Sequence, residues 1–197
     1  MRSSFAIALS AASILVAPAF AQSPPGATAP AQAPSVTAPA VVPGAPVAPL
    51  TDTDARFVQT QTENNMAEYQ AAQLALQRSH NQNVRNFAQK MITDHTYVQD
   101  TLNQIVQMHP HLPLPQTLTG QDRGTLDRLA GLSGPAFDRA YMNAMVQSNS
   151  TMIGELNSEL THGWDQHINA WVQNTRPILL QHSDIAQQVL ASLPPMG

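Results

Sequence analysis

No cysteine occurs anywhere in the 197 residues. That excludes disulfides, a lipoprotein anchor and a thiol nucleophile, so any fold must be held by its core. Charge is also sparse, at 11% of residues, with nine basic side chains against thirteen acidic ones and a net charge of −4. The basic residues form no cluster, so nucleic acid is not an expected partner. Glycine is scarce, at nine residues, and no β-branched alternation appears, which excludes a sheet and predicts an all-α domain. The chain also lacks a glycine-rich phosphate loop, a G-x-S-x-G elbow and an H-E-x-x-H pair, so no enzyme class is indicated and a non-enzymatic role is preferred.

What is present divides the chain into three. Met1 to Ala21 reads as a secretory signal: Arg2, an apolar run over Phe5 to Val16, and the cleavage site Ala19-Phe20-Ala21. The run falls short of the ~20 apolar residues that cross a membrane, so no anchor is expected after cleavage. Export to a bacterial periplasm or beyond the cell follows, and losing Arg2 takes the charge from −4 to about −5. Residues 22–50 hold half of the sixteen prolines and no charged residue, a composition that predicts an extended, disordered tether. Residues 51–194 are left for one globular domain.

Four long helices and one short one are expected there. The first follows the capping run Thr51-Asp52-Thr53-Asp54 and reaches about Ser79. The second carries a stripe of Val84, Ala88, Met91, Val98, Leu102 and Ile105 up to Pro110. A proline-rich connection and a short helix over Asp122 to Leu132 follow. A third long helix runs from Phe137 to about His162, and a fourth opens near Asp165, with a kink expected near Asn174 because of Pro177. Two short links flanking one long one predict a ferritin-like four-helix bundle, the long crossover joining the second and third long helices in parallel. An up-down-up-down bundle with a decorated loop is the alternative.

Polar residues interrupt these stripes. Glu68, His95, Asn149 and His182 each fall in the middle half of a helix and at levels that roughly coincide. Asp138 and Tyr141 stand nearer the start of the third long helix, at the end of the same seam. A di-iron centre would need bridging carboxylates three residues before each histidine, where the chain has Ile92 and Leu179. Asp94 is adjacent to His95, and neighbours on a helix diverge by about 100°, so it is not expected to serve the same inward site. Two readings remain. The preferred one is a hydrogen-bonded core cluster that requires no cofactor and keeps the helices in register. The other is a mononuclear zinc, iron or copper site on Glu68, His95 and His182, with Asn149, Asp138 and Tyr141 around it. Met91, Met145 and Met152 could supply a soft copper site but are expected as core fillers.

Several of these pieces resemble a known family. Phe57, Ala67-Glu68, the run Phe87-Ala88-Gln89-Lys90-Met91-Ile92-Thr93-Asp94-His95, Gly134-x-x-Phe137-Asp138-x-x-Tyr141 and Pro177-x-x-x-x-His182 look like domain of unknown function 4142. The resemblance covers about Asp54 to Leu190 and implies a ferritin-like fold and bacterial export, with no known activity. The family usually has a histidine where this chain has Asn149, so a metal role at that position does not carry over. Partner and oligomeric state stay open, a homo-oligomer being compatible with the sequence. An envelope or stress-related binding role is the expectation.

Overall fold

The computed structural model describes residues 49–195. The expected signal segment, 1–21, and all but the last two residues of the expected tether, 22–50, lie outside the described residues. Five helices form: α1 (Asp52–Arg78), α2 (Gln82–Met108), α3 (Gly120–Ala130), α4 (Gly134–His162) and α5 (Gln166–Ser192). No strand occurs among the described residues.

The helix starts are chemically marked. Thr51 and Asp54 form a reciprocal capping box at α1. Asn81, Thr119 and Asp165 each turn a side-chain oxygen onto the first free N–H groups of α2, α3 and α5. The first residue of α4 is left-handed, and Gly134 supplies it at φ 56°. At the far end of α1 the Arg85 guanidinium reaches the carbonyls of Leu76 and Ser79, satisfying acceptors that the helix leaves free. Helix α5 runs without a break through Pro177, although that residue cannot donate back to Gln173.

Helices α1, α2, α5 and α4 pack side by side in that ring order, each against two neighbours. Cross-helix hydrogen bonds give their directions. Asn65 of α1 meets Gln99 of α2, and Gln59 meets Pro113 beyond the end of α2, so those two helices are antiparallel. Gln61 and Asn64 both donate to Glu155, and the backbone N–H of Trp164 donates to Asp54, so α1 and α4 are antiparallel as well. It follows that α2 and α4 run in the same direction. The connection between them carries α3 along the flank of α1, with Leu129 turned into the core.

Two apolar cores form inside this ring. One gathers Ala71, Ala75, Phe87, Met91, Phe137, Tyr141, Met145 and Ala186; the other gathers Val58, Val98, Leu102, Met152, Leu156, Trp171 and Leu179. Read along each helix, the polar residues fall between them: His95 between Met91 and Val98, Asn149 between Met145 and Met152, His182 between Leu179 and Ala186. Trp171 joins α5 to α2 through its indole N–H, 3.1 Å from Thr101 Oγ1, and meets the edge of Phe57. Leu102 is wholly enclosed, whereas Leu180 is 38% exposed. Leu102→Ala should therefore lose about 2–5 kcal/mol of stability in denaturant titrations, and Leu180→Ala only ~0.5 kcal/mol.

Candidate functional site: a sealed polar layer

The layer is built outward from His95, which has no exposed surface. Its Nδ1 lies 2.6 Å from Oδ1 of Asn65, one turn before Glu68 on α1. Asn65 Nδ2 donates in turn to Gln99 Oε1, so the amide oxygen is the atom facing the ring and Nδ1 carries the proton. The other ring nitrogen, Nε2, lies 2.8 Å from Glu68 Oε2. That contact is short but off the line of the ring N–H, and neither atom has an aligned hydrogen bond. Glu68 Oε1 lies 3.4 Å from Asn149 Nδ2, a long contact, while the same amide donates more closely, at 2.9 Å, to Met145 O. Burial pushes the Glu68 carboxyl up. The contact with His95 first, then Ser148 and His182, outweighs that and holds it below its ordinary range.

His182 belongs to the layer but faces another partner. Its ring stands 5.4 Å from that of His95, centroid to centroid, tilted by 34°. Its Nε2 donates to Asp94 Oδ2 at 2.7 Å, and Lys90 reaches the same oxygen at 2.9 Å. Burial holds the His182 ring below its usual value despite Asp94, which keeps it neutral at neutral pH. Burial alone would raise Asp94; the His182 and Lys90 contacts instead hold it below the ordinary carboxylate range. Asp94 thus takes part after all. The 100° divergence from His95 lets the two neighbours serve different helices, His95 facing α1 and Asp94 facing α5.

Of the expected site residues, Glu68, His95 and Asn149 come together directly, and His182 lies beside them. Tyr141 is fully buried, and burial together with the charge of Glu68 pushes its phenol well above its ordinary value. Its hydroxyl has no partner. Asp138 is buried on α4 with Oδ1 unpartnered. Among the described residues, no three His, Asp or Glu side chains are placed to hold a metal ion. Glu68, His95 and His182 as they stand do not close on one point, because His182 spends Nε2 on Asp94. Asn65 was not expected. Its signal was available, since Gln61, Asn65, Glu68, Ala72 and Ala75 follow the helical rhythm on one face of α1.

A second buried acidic pair ties the ends of α1 and α4 together, and it was also unforeseen. Asp54 and Glu159 are 1% and 4% exposed. Both oxygens of Asp54 accept from donors, Oδ2 from the Thr51 N–H and hydroxyl and Oδ1 from the Trp164 N–H. Burial pushes Asp54 up, but these donors and Glu159 outweigh it, so Asp54 is the ionised partner. Glu159 is the protonated one: burial, the hydrogen bond to Asp54, and the charges of Asp54 and Asp165 raise it from 4.5 to about 7. Gly163 makes the room. A Cβ there would press on the Glu159 carboxyl and lie 2.7 Å from its backbone oxygen.

A carboxyl raised on folding binds its proton more tightly in the native state. Its stabilising contribution is full below about pH 4.5 and is lost as pH rises through about 7. Between pH 5 and 8 the melting temperature of Glu159→Gln, which keeps a donor for Asp54, should therefore fall less than that of the wild type. Gly163→Ala should lose about 1–3 kcal/mol at any pH in the same melts.

The comparisons with known proteins bear on fold and family. No curated protein matches the chain. A crystal structure described as a DUF305 fragment from Deinococcus radiodurans is similar at a TM-score of 0.66 and 14% identity, over 74% of this chain and 100% of that one. At that identity the likeness shows the fold alone. A family model described as domain of unknown function (DUF4142) matches residues 40–189, about three-quarters of the chain. The chain belongs to the DUF4142 family.

Proposed function

We propose that this protein is an exported, non-enzymatic ferritin-like bundle with a binding role in the bacterial envelope or under stress, and that its polar layer keeps the four long helices in register. Export rests on the signal-like segment 1–21 and its cleavage site. No described helix is long and apolar enough to cross a membrane. The ferritin-like reading rests on two antiparallel hairpins joined by a crossover that leaves α2 and α4 parallel.

One observation carries the register reading. Glu68, His95, Asn149 and His182 are each at most 2% exposed and lie between the two apolar cores. Slipping α2 by one residue would swing His95 away from Asn65 and Glu68 and strand a buried carboxylate.

A second reading, a single zinc, iron or copper ion held by Glu68, His95 and His182, is favoured by the ring nitrogens. Each histidine donates one N–H to an oxygen, His95 to Asn65 and His182 to Asp94, as metal-bound imidazoles do. That leaves His95 Nε2, His182 Nδ1 and Glu68 Oε2 without aligned partners. This reading requires His182 to turn, because the three donors do not close on one point. The register reading requires no movement, and for that reason it stands first.

His95→Ala should lose about 2–4 kcal/mol, combining a cavity with stripped partners. The losses of His95→Ala and His182→Ala should be non-additive, since both act on one layer. Thermal melts of the wild type, both single variants and the double variant, with and without zinc, copper or iron, separate the readings. Coupled losses with no metal effect support register. A rise in melting temperature confined to the wild type supports the ion. Additive losses dismiss the shared layer. Intact mass of the exported protein should begin at Gln22, and a mass retaining Met1 to Ala21 would refute export.

A further inference from the structure

A groove of about 450 Å³ opens between α1 and α2 beneath the connection that leaves α2. It falls in the size range of small-molecule sites, about 300–1,000 Å³. Its walls are of two kinds. Met66 and Tyr69 of α1 and Leu114 and Pro115 of the connection supply apolar surface. Gln99 and Asn103 of α2 supply a row of amides, and Asn65 and His95 lie at the bottom.

These amides are not independent. Asn65 Nδ2 donates to Gln99 Oε1 at 3.1 Å, and Gln99 Nε2 donates to Asn103 Oδ1 at 3.0 Å. Together with the 2.6 Å contact of Asn65 to His95 and the 2.8 Å contact of His95 to Glu68, they form a chain from the sealed layer to the outside. Asn65 is 5% exposed, so a buried polar side chain both lines the groove and holds the His95 ring. A molecule bonding to this row would polarise the whole chain.

Charge selects the ligand class. No lysine, arginine or free cation lines the groove, and the one charged residue, Asp100, is exposed. An anion would be desolvated without a counter-ion, and a cation would gain little from a solvated carboxylate. A flat apolar body suits Tyr69 and Pro115, while an edge that both donates and accepts suits the amide row.

We propose that this groove binds a small uncharged planar ring carrying an amide or similar hydrogen-bonding edge, and that Asn65 passes its occupancy to the His95 ring. The inference rests on neither export nor a metal, so it stands or falls apart from the function proposed above.

Three probes of one shape and different charge test it: benzamide, benzoate and benzamidine, titrated into full-length mature protein while side-chain amide and imidazole nitrogens are followed by NMR. Benzamide should give saturable shifts at Asn65, Gln99 and Asn103 and at the His95 ring. Benzoate and benzamidine should bind about tenfold more weakly or worse. Gln99→Leu, at a half-buried position, should weaken benzamide about fivefold and abolish the response of His95. Tyr69→Ala provides a second variant in case Gln99→Leu does not fold, and should weaken benzamide by a similar factor. Absence of saturation, equal response to the three probes, or shifts confined to other surfaces would overturn the proposal. Benzamide binding without any change at His95 would overturn the coupling through Asn65.

Discussion

Two adjacent side chains in the middle of α2 hold the arrangement of the bundle. Asp94 and His95 leave the helix about 100° apart, and each takes a partner on a different neighbour. His95 reaches Asn65 and Glu68 on α1, and Asp94 reaches His182 on α5. Because α1 and α5 lie on opposite flanks of α2 in the ring, one dipeptide fixes the height of three helices at once. The fourth joins through Asn149, whose amide lies between the Glu68 carboxylate and its own helix backbone. The hairpins α1–α2 and α4–α5 are thus tied through side chains, besides the connection that carries α3.

Such a layer does not add stability in proportion to its contacts. Taking Glu68 and the two imidazoles out of water costs several kcal/mol, and well-packed apolar residues of the same size would often do as well or better. What the layer supplies is discrimination among registers. The core around Met91 and Met145 is rich in methionine and alanine, which tolerate sliding, whereas the other is built mainly of Val, Leu and Ile. A helix slid by about one turn would still present its apolar stripe to the core, but it could not pair His95 and Asp94 correctly. The Asp54–Glu159 pair does similar work at the end of the bundle, joining the first turn of α1 to the last turn of α4.

Much of this was legible in the order of the residues. The α2 stripe is buried at all of its positions, and His95 fills the one polar gap in it. The helix ends follow from Thr51, Asn81, Thr119 and Asp165, whose side chains can cap. The parallel run of α2 and α4 was favoured by the link lengths, which left an up-down-up-down bundle as the alternative. The partners were harder to read. Asp94 looked unsuited because it cannot share a point with His95, whereas the fold uses the divergence between them. Asn65 passed unremarked because asparagine on a helix is usually solvated. Nothing local to Glu159 reveals that Asp54, 105 positions earlier, comes to face it. Pair contacts between distant helices depend on rotation about each axis, which the apolar pattern leaves open by tens of degrees.

The central claim is that each histidine is held through one ring proton, His95 through Nδ1–H toward Asn65 and His182 through Nε2–H toward Asp94. Long-range proton–nitrogen NMR of the imidazoles at neutral pH reads this directly, because a protonated and an unprotonated ring nitrogen resonate far apart. The account predicts a proton on Nδ1 of His95, and a neutral His182 carrying its proton on Nε2 alone. A neutral His95 protonated only on Nε2, a His182 protonated on Nδ1, or rings averaging between tautomers would contradict it.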